Sequence, residues 1–267
     1  MNDTTQWPPA ERNVADAVDF FDSPTKVEVY DRFQATFMAP GRRLCLELAL
    51  AKLGRPPTSV LEIGCGKGQL LEILAARFPD ARLTGFDTSE TMVEEARARV
   101  ESFATVLRGD LSSLADDLPP ADLVISYSNF RFWKAPVDEL AVIERILLPG
   151  GLAYITDLRR DFTVTLRDQL MERVETPEFQ GFLGLQLHSA YTADEVGAII
   201  EALRSETCEF KIGQFGGSPV LSREAFDLIQ RHDHLAKAVF AIRSNGFRVE
   251  GAMDAMMHIY LHGTDRE

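Results

Sequence analysis

Three glycines at alternate positions, Gly64, Gly66 and Gly68, stand behind the apolar run of "VLEIGCGKGQL" at residues 60–70. A single strand-to-helix turn needs one glycine; three imply bare backbone against which a ligand can lie, since glycine permits left-handed φ and removes the Cβ. Carboxylates accompany the loop. Glu62 precedes it, Asp87 closes "LTGFDTS" nineteen residues after Gly68 (87 minus 68), and Asp110 closes "LRGD". A carboxylate at the place of Asp87 can accept hydrogen bonds from both hydroxyls of a ribose, although Asp87 would also serve as a helix N-cap, as would Thr88 or Ser89. Asp110 can accept from an exocyclic adenine amine. The dinucleotide fingerprint is G-x-G-x-x-G, whereas the spacing here is G-x-G-x-G with Gln69 in the place of the third glycine. Glu62 would repel a pyrophosphate and suits a ligand that carries an ammonium or sulfonium.

The elements that must position these groups are legible in the hydrophobic pattern. "SVLEIG", "ARLTGFD", "ATVLRGD", "ADLVISYS" and "GLAYITDL" carry contiguous apolar residues and read as buried strands. Helices lie between them, with Leu70, Leu71, Leu74 and Phe78 on one face, then Met92, Val93, Ala96 and Val100 on another. A third helix spans 136–147, opened by Pro136 and stopped by the "PGG" at 149–151. Thr192 and Glu195 form a capping box for "YTADEVGAIIEAL", and "CEFKIGQFG" and "AMMHIYLHG" supply a sixth and a seventh strand. A helix starting at Ser222, with Phe226, Ile229, Ala236 and Phe240 inward, precedes the last strand. The expected fold is α/β: a Rossmann-like, seven-stranded, mostly parallel sheet with an antiparallel last strand, helices on both faces and a helical cap. Residues 1–40 form an N-terminal cap segment, and 41–267 the main domain with cap insertions near 159–190 and 217–250.

Composition narrows the partners. The chain has 267 residues, 45% of them hydrophobic, enough to bury a full core. Lys plus Arg number 28 against 41 Asp plus Glu, and the formal charge of -13 opposes extended contact with nucleic acid or anionic lipid. Cys45, Cys65 and Cys208 are too few and too scattered for a disulfide framework or a zinc cluster. "MNDTTQWPPAERN" has no apolar signal region and no apolar run nears the ~20 residues of a membrane span. A cytoplasmic protein with a reduced thiol complement is the expectation, and a homodimer is compatible with it.

The ordered segments "VLEIGCGKG", "GFDTSETMVEEA", "GDLSSL", "ADLVISYSNFRFW" and "RILLPGGLAYITDL" closely resemble those of class I S-adenosylmethionine-dependent methyltransferases. The resemblance covers residues 41–158 firmly and 190–215 moderately. It implies S-adenosylmethionine as cofactor, S-adenosylhomocysteine as product, and no metal. It also implies that Gly64, Cys65, Gly66 and Gly68 flank the methionine part, that Glu62 reads its ammonium, and that Asp87, with Thr88 and Met92 beside it, binds the ribose. Asp110 would bind the adenine amine and Leu111 would offer its backbone N–H to the ring. Ser126 and Tyr127 would lie beside the sulfonium, and Tyr30 in "VYDRF" resembles a tyrosine that closes over the cofactor.

Methyl transfer is an in-line displacement that needs alignment more than a catalytic dyad. Base methylases of nucleic acids carry an Asn/Asp-Pro-Pro-Tyr/Phe box after the fourth strand; "SYSNFRFW" stands here instead, which favours a small-molecule acceptor. Tyr127, Asn129, Arg131 and Trp133 are the candidate pocket lining. Arg159 in "DLRRD" could clamp an acceptor carboxylate together with Arg160, or both could pair with acidic neighbours. His188 is the candidate general base, Tyr127 and Asn129 are the other catalytic candidates, and His188 and Tyr191 are candidates for binding the acceptor; His232 and His234 do not share a helix face, and His258 suits a structural place in the last strand. Phe20, Phe21, Tyr30, Phe33, Phe37, Phe179 and Phe182 would suit an apolar acceptor or a core. The expected function is methyl transfer to an O, N or C nucleophile of a small metabolite. The alternative is an enzyme of the same fold that binds the cofactor but catalyses a cyclisation or rearrangement. A nicotinamide oxidoreductase is disfavoured by Glu62 and the glycine spacing, and a scaffold without catalysis by the intact carboxylates.

Overall fold

The computed structural model describes residues 7–19, 24–172, 174, 176–212 and 256–264. The expected insertion at 217–250, with its helix and with His232 and His234, lies outside them, as do Phe20 and Phe21. Seven strands form one sheet: β1 (Ser59–Ile63), β2 (Arg82–Asp87), β3 (Ala104–Arg108), β4 (Ala121–Tyr127), β5 (Leu147–Leu158), β6 (Cys208–Ile212) and β7 (Met256–His262), in the order β3-β2-β1-β4-β5-β7-β6. The pairs β1·β2, β1·β4, β2·β3 and β4·β5 are parallel. Gly150 and Gly263 pair the start of β5 with the far end of β7, N–H to carbonyl at 3.0 Å, so β7 runs antiparallel. The chain moves outward from β1 through β2 to β3, then returns to the other side of β1 with β4. That reversal is the switch point at which open α/β sheets leave a crevice.

Nine α-helices join the strands among the described residues: α1 (Ala15–Asp19), α2 (Pro24–Phe33), α3 (Ala39–Leu53), α4 (Gln69–Arg77), α5 (Glu90–Val100), α6 (Pro136–Ile146), α7 (Val164–Glu172), α8 (Pro177–Ser189) and α9 (Ala193–Leu203). The expected inward residues Leu70, Leu71, Leu74, Met92, Val93, Ala96 and Val100 are all buried, and Phe78 packs partly buried against them. One expectation changes at the fifth strand. α6 ends at Ile146, and the strand starts at once from Leu147, before the "PGG". Leu147 pairs with Ala121 and Leu152 with Leu123, so the Pro149–Gly150 stretch bulges out instead of separating helix from strand, with Gly150 at φ 67°.

The chain divides into two compact units. A sheet unit holds Cys45–Thr156, Ile199–Phe210 and Ile259–Glu267; a helical unit gathers Met1–Leu44, Asp157–Ala198 and Lys211–His258. Each has its own core. In the sheet unit α3, α4 and α5 bury Leu46, Leu71, Leu74 and Val93 against Val60, Leu83, Leu123 and Ile125 of the strands. In the helical unit Phe33, Phe162, Phe179, Phe182 and Leu187 form the cluster, with Tyr30 edge-on to Phe182 at 5.9 Å. Tyr30, Phe33, Phe179 and Phe182 therefore serve a core.

The helical unit is also tied by an ion pair between buried Arg160 and the partly exposed Glu195. Arg160, 1% exposed, donates Nη2 to Glu195 Oε1 at 2.7 Å and reaches the carbonyls of Ala190 at 2.8 Å and Pro9 at 3.2 Å. Glu195 also closes the expected capping box, accepting from Thr192 N at 2.8 Å while Thr192 Oγ accepts from Glu195 N at 3.1 Å.

Register between β1 and β4 depends on Asp122. It is 2% exposed and accepts from Arg55 Nη1 at 2.7 Å, Thr58 N at 2.9 Å and Ser59 N at 3.0 Å. Burial alone would raise its pKa, but Arg55 and the backbone donors outweigh it and hold the carboxyl below its usual range. A depressed folded pKa contributes stability that is present above the unfolded value, near pH 4, and lost as pH falls through the folded one. Asp122→Ala should cost about 2–3 kcal/mol, since donors are left unmet. Urea unfolding across pH 3–7 should show Asp122→Asn with a flatter acid limb than the parent.

Candidate functional site

β1 turns into α4 through a loop in which Gly64, Gly66 and Gly68 all take left-handed φ, at 68°, 51° and 77°. Side-chain-bearing residues pay about 1–2 kcal/mol there. The loop is hung from β2: Gly64 N and Cys65 N both donate to Phe86 O, at 2.9 and 3.0 Å, and Gly66 N donates to Asp87 Oδ2 at 2.9 Å. Asp87 Oδ1 accepts from Ser89 N at 3.0 Å, and Ser89, not Asp87, caps α5 by accepting from Met92 N. A carboxylate has about four acceptor positions, so these backbone bonds do not exhaust it. Burial raises the Asp87 pKa against the lowering effect of the Ser89 and Gly66 donors.

The other carboxylates sit on neighbouring strands. Glu62 is 5% exposed in β1, where it pairs in register with Gly85 of β2 and Ile125 of β4. Asp110, two residues past β3, is half-buried; its Oδ1 accepts from Ser113 N at 2.8 Å and its Oδ2 from Lys134 Nζ at 3.2 Å. The Ser113 backbone bond, with help from Lys134, holds the Asp110 carboxyl below its usual range.

Several expected site residues have other occupations. Cys65 is 3% exposed, and a Cβ on Gly85 would come within 2.9 Å of its Cβ; its thiol is pushed far up by burial and by Glu62 and Asp87, so it is inert packing. Met92 is likewise core, at 3% exposure. Gly68 is bare for helix packing, since a Cβ there would sit 3.1 Å from Val100 Cγ1. Ser126 is fully buried, its hydroxyl donating to Ile63 O at 3.3 Å within the sheet. Thr88 is exposed, Leu111 is buried, and Tyr127 is half-buried at the end of β4.

After β4, Ser128 takes φ 60°, an unusual value for a residue with a side chain. Its N–H donates to Thr156 O at 2.8 Å and its Oγ accepts from Arg131 Nη2 at 2.9 Å. Arg131 is wholly buried and so does not line a pocket. Trp133, 7% exposed, packs edge-on to Phe130 with centroids 4.9 Å apart and donates Nε1–H to Asn129 Oδ1 at 2.9 Å. Asn129 lies on Gly64: a Cβ there would collide with its Cγ and Nδ2. These ties were not foreseen, although the i to i+3 and i to i+4 spacings of Ser128–Arg131 and Asn129–Trp133 permit them in a 3-10 turn, found here at Phe130–Phe132.

The remaining candidates belong to the helical unit. His188 is exposed in the last turn of α8, not in a loop, with its carbonyl accepting from Asn13 N at 3.0 Å and its ring 6.3 Å from that of Trp7. Arg159 pairs with Asp161 at 2.8 Å and bridges to Tyr191, over whose ring Arg12 lies at 3.4 Å. The two arginines of "DLRRD" thus both meet acidic neighbours. His258 is fully buried in β7, and burial, with Lys211, lowers its pKa to about 3, which suits the structural place expected.

Among the described residues no three His, Cys, Asp or Glu side chains group as a metal would need, and no helix is long and apolar enough to cross a membrane.

Residues 60–151 match the family model of the methyltransferase domain. Trans-aconitate 2-methyltransferase of Acidovorax sp. (strain JS42) is 30% identical over 125 residues, 46% of either chain. Malonyl-[acyl-carrier protein] O-methyltransferase of Anoxybacillus flavithermus is 31% identical over 121 residues, 45% of this chain and 44% of that protein. The chain thus spans about half the length of the curated relatives it matches. The crystal structure of the plantazolicin methyltransferase BamL, bound to S-adenosylhomocysteine and a triazolic analogue, superposes with a TM-score of 0.79 over 94% of this chain and 95% of that one, at 21% identity, which is a likeness of fold. Residues 60–151 are thus similar to a methyltransferase domain, and the chain shares its fold with a methyltransferase crystallised with S-adenosylhomocysteine.

Gly64→Ala should be destabilising by about 1–2 kcal/mol from backbone strain alone. It should also push Asn129 off its seat, so that thermal unfolding shifts down and the tryptophan emission of the folded protein changes through Trp133.

Proposed function

We propose that the chain transfers a methyl group from S-adenosylmethionine to an O, N or C nucleophile of a small organic acceptor and releases S-adenosylhomocysteine. The observation that carries the reading is the row of carboxylates at the ends of three adjacent parallel strands, Glu62 of β1, Asp87 of β2 and Asp110 just past β3, beside a left-handed glycine turn at the sheet's switch point. The donor set fits the cofactor. Buried Glu62 suits an ammonium, the acceptor capacity left on Asp87 suits ribose hydroxyls, and Asp110 suits the adenine amine, with the Leu111 N–H toward the ring. When bound, the cofactor supplies a methyl group on a positively charged sulfur. The chain's part is to hold that end still and to exclude water, because displacement in line is governed by alignment. The names of the two curated relatives point to carboxylic acids as acceptors, which makes such acids the first to try.

Calorimetric titration should show binding of S-adenosylmethionine and S-adenosylhomocysteine and none of NADH; binding of NADH alone, or of nothing, would remove the reading. Asp87→Ala should weaken cofactor binding by about 1–3 kcal/mol, as expected for lost buried acceptors. Incubation with a panel of carboxylic acids should then give a product heavier by one methyl group.

A further inference from the structure

Residues 128–133 are held in a shape they would not keep alone. Ser128 is left-handed, and its cost is met by a bond to Thr156 O at 2.8 Å and by the buried Arg131 at 2.9 Å. The loop ends in Trp133, whose indole N–H can only donate. Because Nε1 lies 2.9 Å from Asn129 Oδ1, the orientation of the Asn129 amide is settled: oxygen to the indole, nitrogen away from it. That nitrogen is laid on Gly64, where even the Asn129 Cβ lies 2.9 Å from the position a glycine Cβ would take. Asn129 is half-buried, and Nδ2 has no hydrogen-bond partner among the described residues. Two fixed N–H donors thus stand at the first glycine of the loop.

Donors of this kind meet an acceptor oxygen. The cation within the loop, Lys67, is 5% exposed and already paired with Glu95 at 2.8 Å. We propose that Asn129 binds the carboxylate of the cofactor's amino-acid end through its NH2, and that Trp133 is the positioning residue that keeps this end of the amide turned toward the ligand. The inference rests on the cofactor reading above. It divides the zwitterion between two receivers, Glu62 for the ammonium and Asn129 for the carboxylate.

The test is calorimetry with S-adenosylhomocysteine and with its decarboxylated counterpart, which ends in a 3-aminopropyl chain, on the parent, Asn129→Ala and Trp133→Phe. Trp133→Phe keeps an aromatic ring but removes the N–H together with the pyrrole part of the indole, so the decarboxylated ligand is the control for the lost packing. Both variants should bind S-adenosylhomocysteine about tenfold more weakly, the scale of one hydrogen bond to a charged group, while affinity for the decarboxylated ligand stays within about twofold of the parent. Asn129→Asp, which sets a second carboxylate against the first, should lose more than Asn129→Ala for S-adenosylhomocysteine only. Equal losses for both ligands would mean general damage to the site and would overturn the inference, as would unchanged affinity in Asn129→Ala. A parent that binds neither ligand would instead bring down the cofactor reading itself.

Discussion

Three left-handed residues in five, between β1 and α4, are the constraint on which the architecture of the site depends. A loop so shaped cannot make the ordinary bonds of a strand or a helix, so its N–H groups must find acceptors elsewhere. They find them on β2. Phe86 O takes two and Asp87 takes a third, and the same Asp87 reaches on to the start of α5 through Ser89 N. One carboxylate therefore sets the loop, the strand end and the next helix in a single frame. The carboxylate is placed by that frame before any ligand arrives, which is the sense in which the candidate site is preorganised.

Most of the sheet was legible because buried parallel strands write themselves as contiguous apolar runs, and the helices between them keep a 3.6-residue period. The start of β5 was not, because "LLPGG" carries the residues of a stop. Pro149 and Gly150 interrupt pairing without ending the strand, since Leu147 already pairs with Ala121, and a bulge of that kind depends on a partner that lies twenty-six residues away in sequence (147 minus 121). Of the candidate site, the backbone places of Glu62, Gly66, Asp87 and Asp110 were legible, because they follow from strand ends. The packing of Cys65, Met92, Gly68 and Ser126 into the core was not legible. A residue beside a ligand and a residue one turn of chain away in the core have the same sequence neighbours, and only packing tells them apart.

The glycine loop also shows how a missing side chain can have several uses at once. Gly66 gives its N–H to Asp87, Gly68 makes room for α5 through Val100 and Ala96, and Gly64 makes room for Asn129. Glycine spacing alone reports that something approaches. It does not report whether that something is a ligand, a helix or a side chain from the end of β4.

The helical unit draws its core from stretches far apart in the chain: Trp7 donates to Phe162 O across 155 positions, and Arg12 to Ser189 O across 177. Such contacts are slow to form because the loop must close before they reward it. During synthesis the first helices leave the ribosome long before Phe179, Phe182 and Glu195 exist to receive them. Their apolar faces stay bare through the making of β1 to β5, which need only residues already emerged. Assembly therefore has a direction, and at growth rates of about 5–20 residues per second Phe33 waits on the order of ten seconds for Phe179 and Phe182.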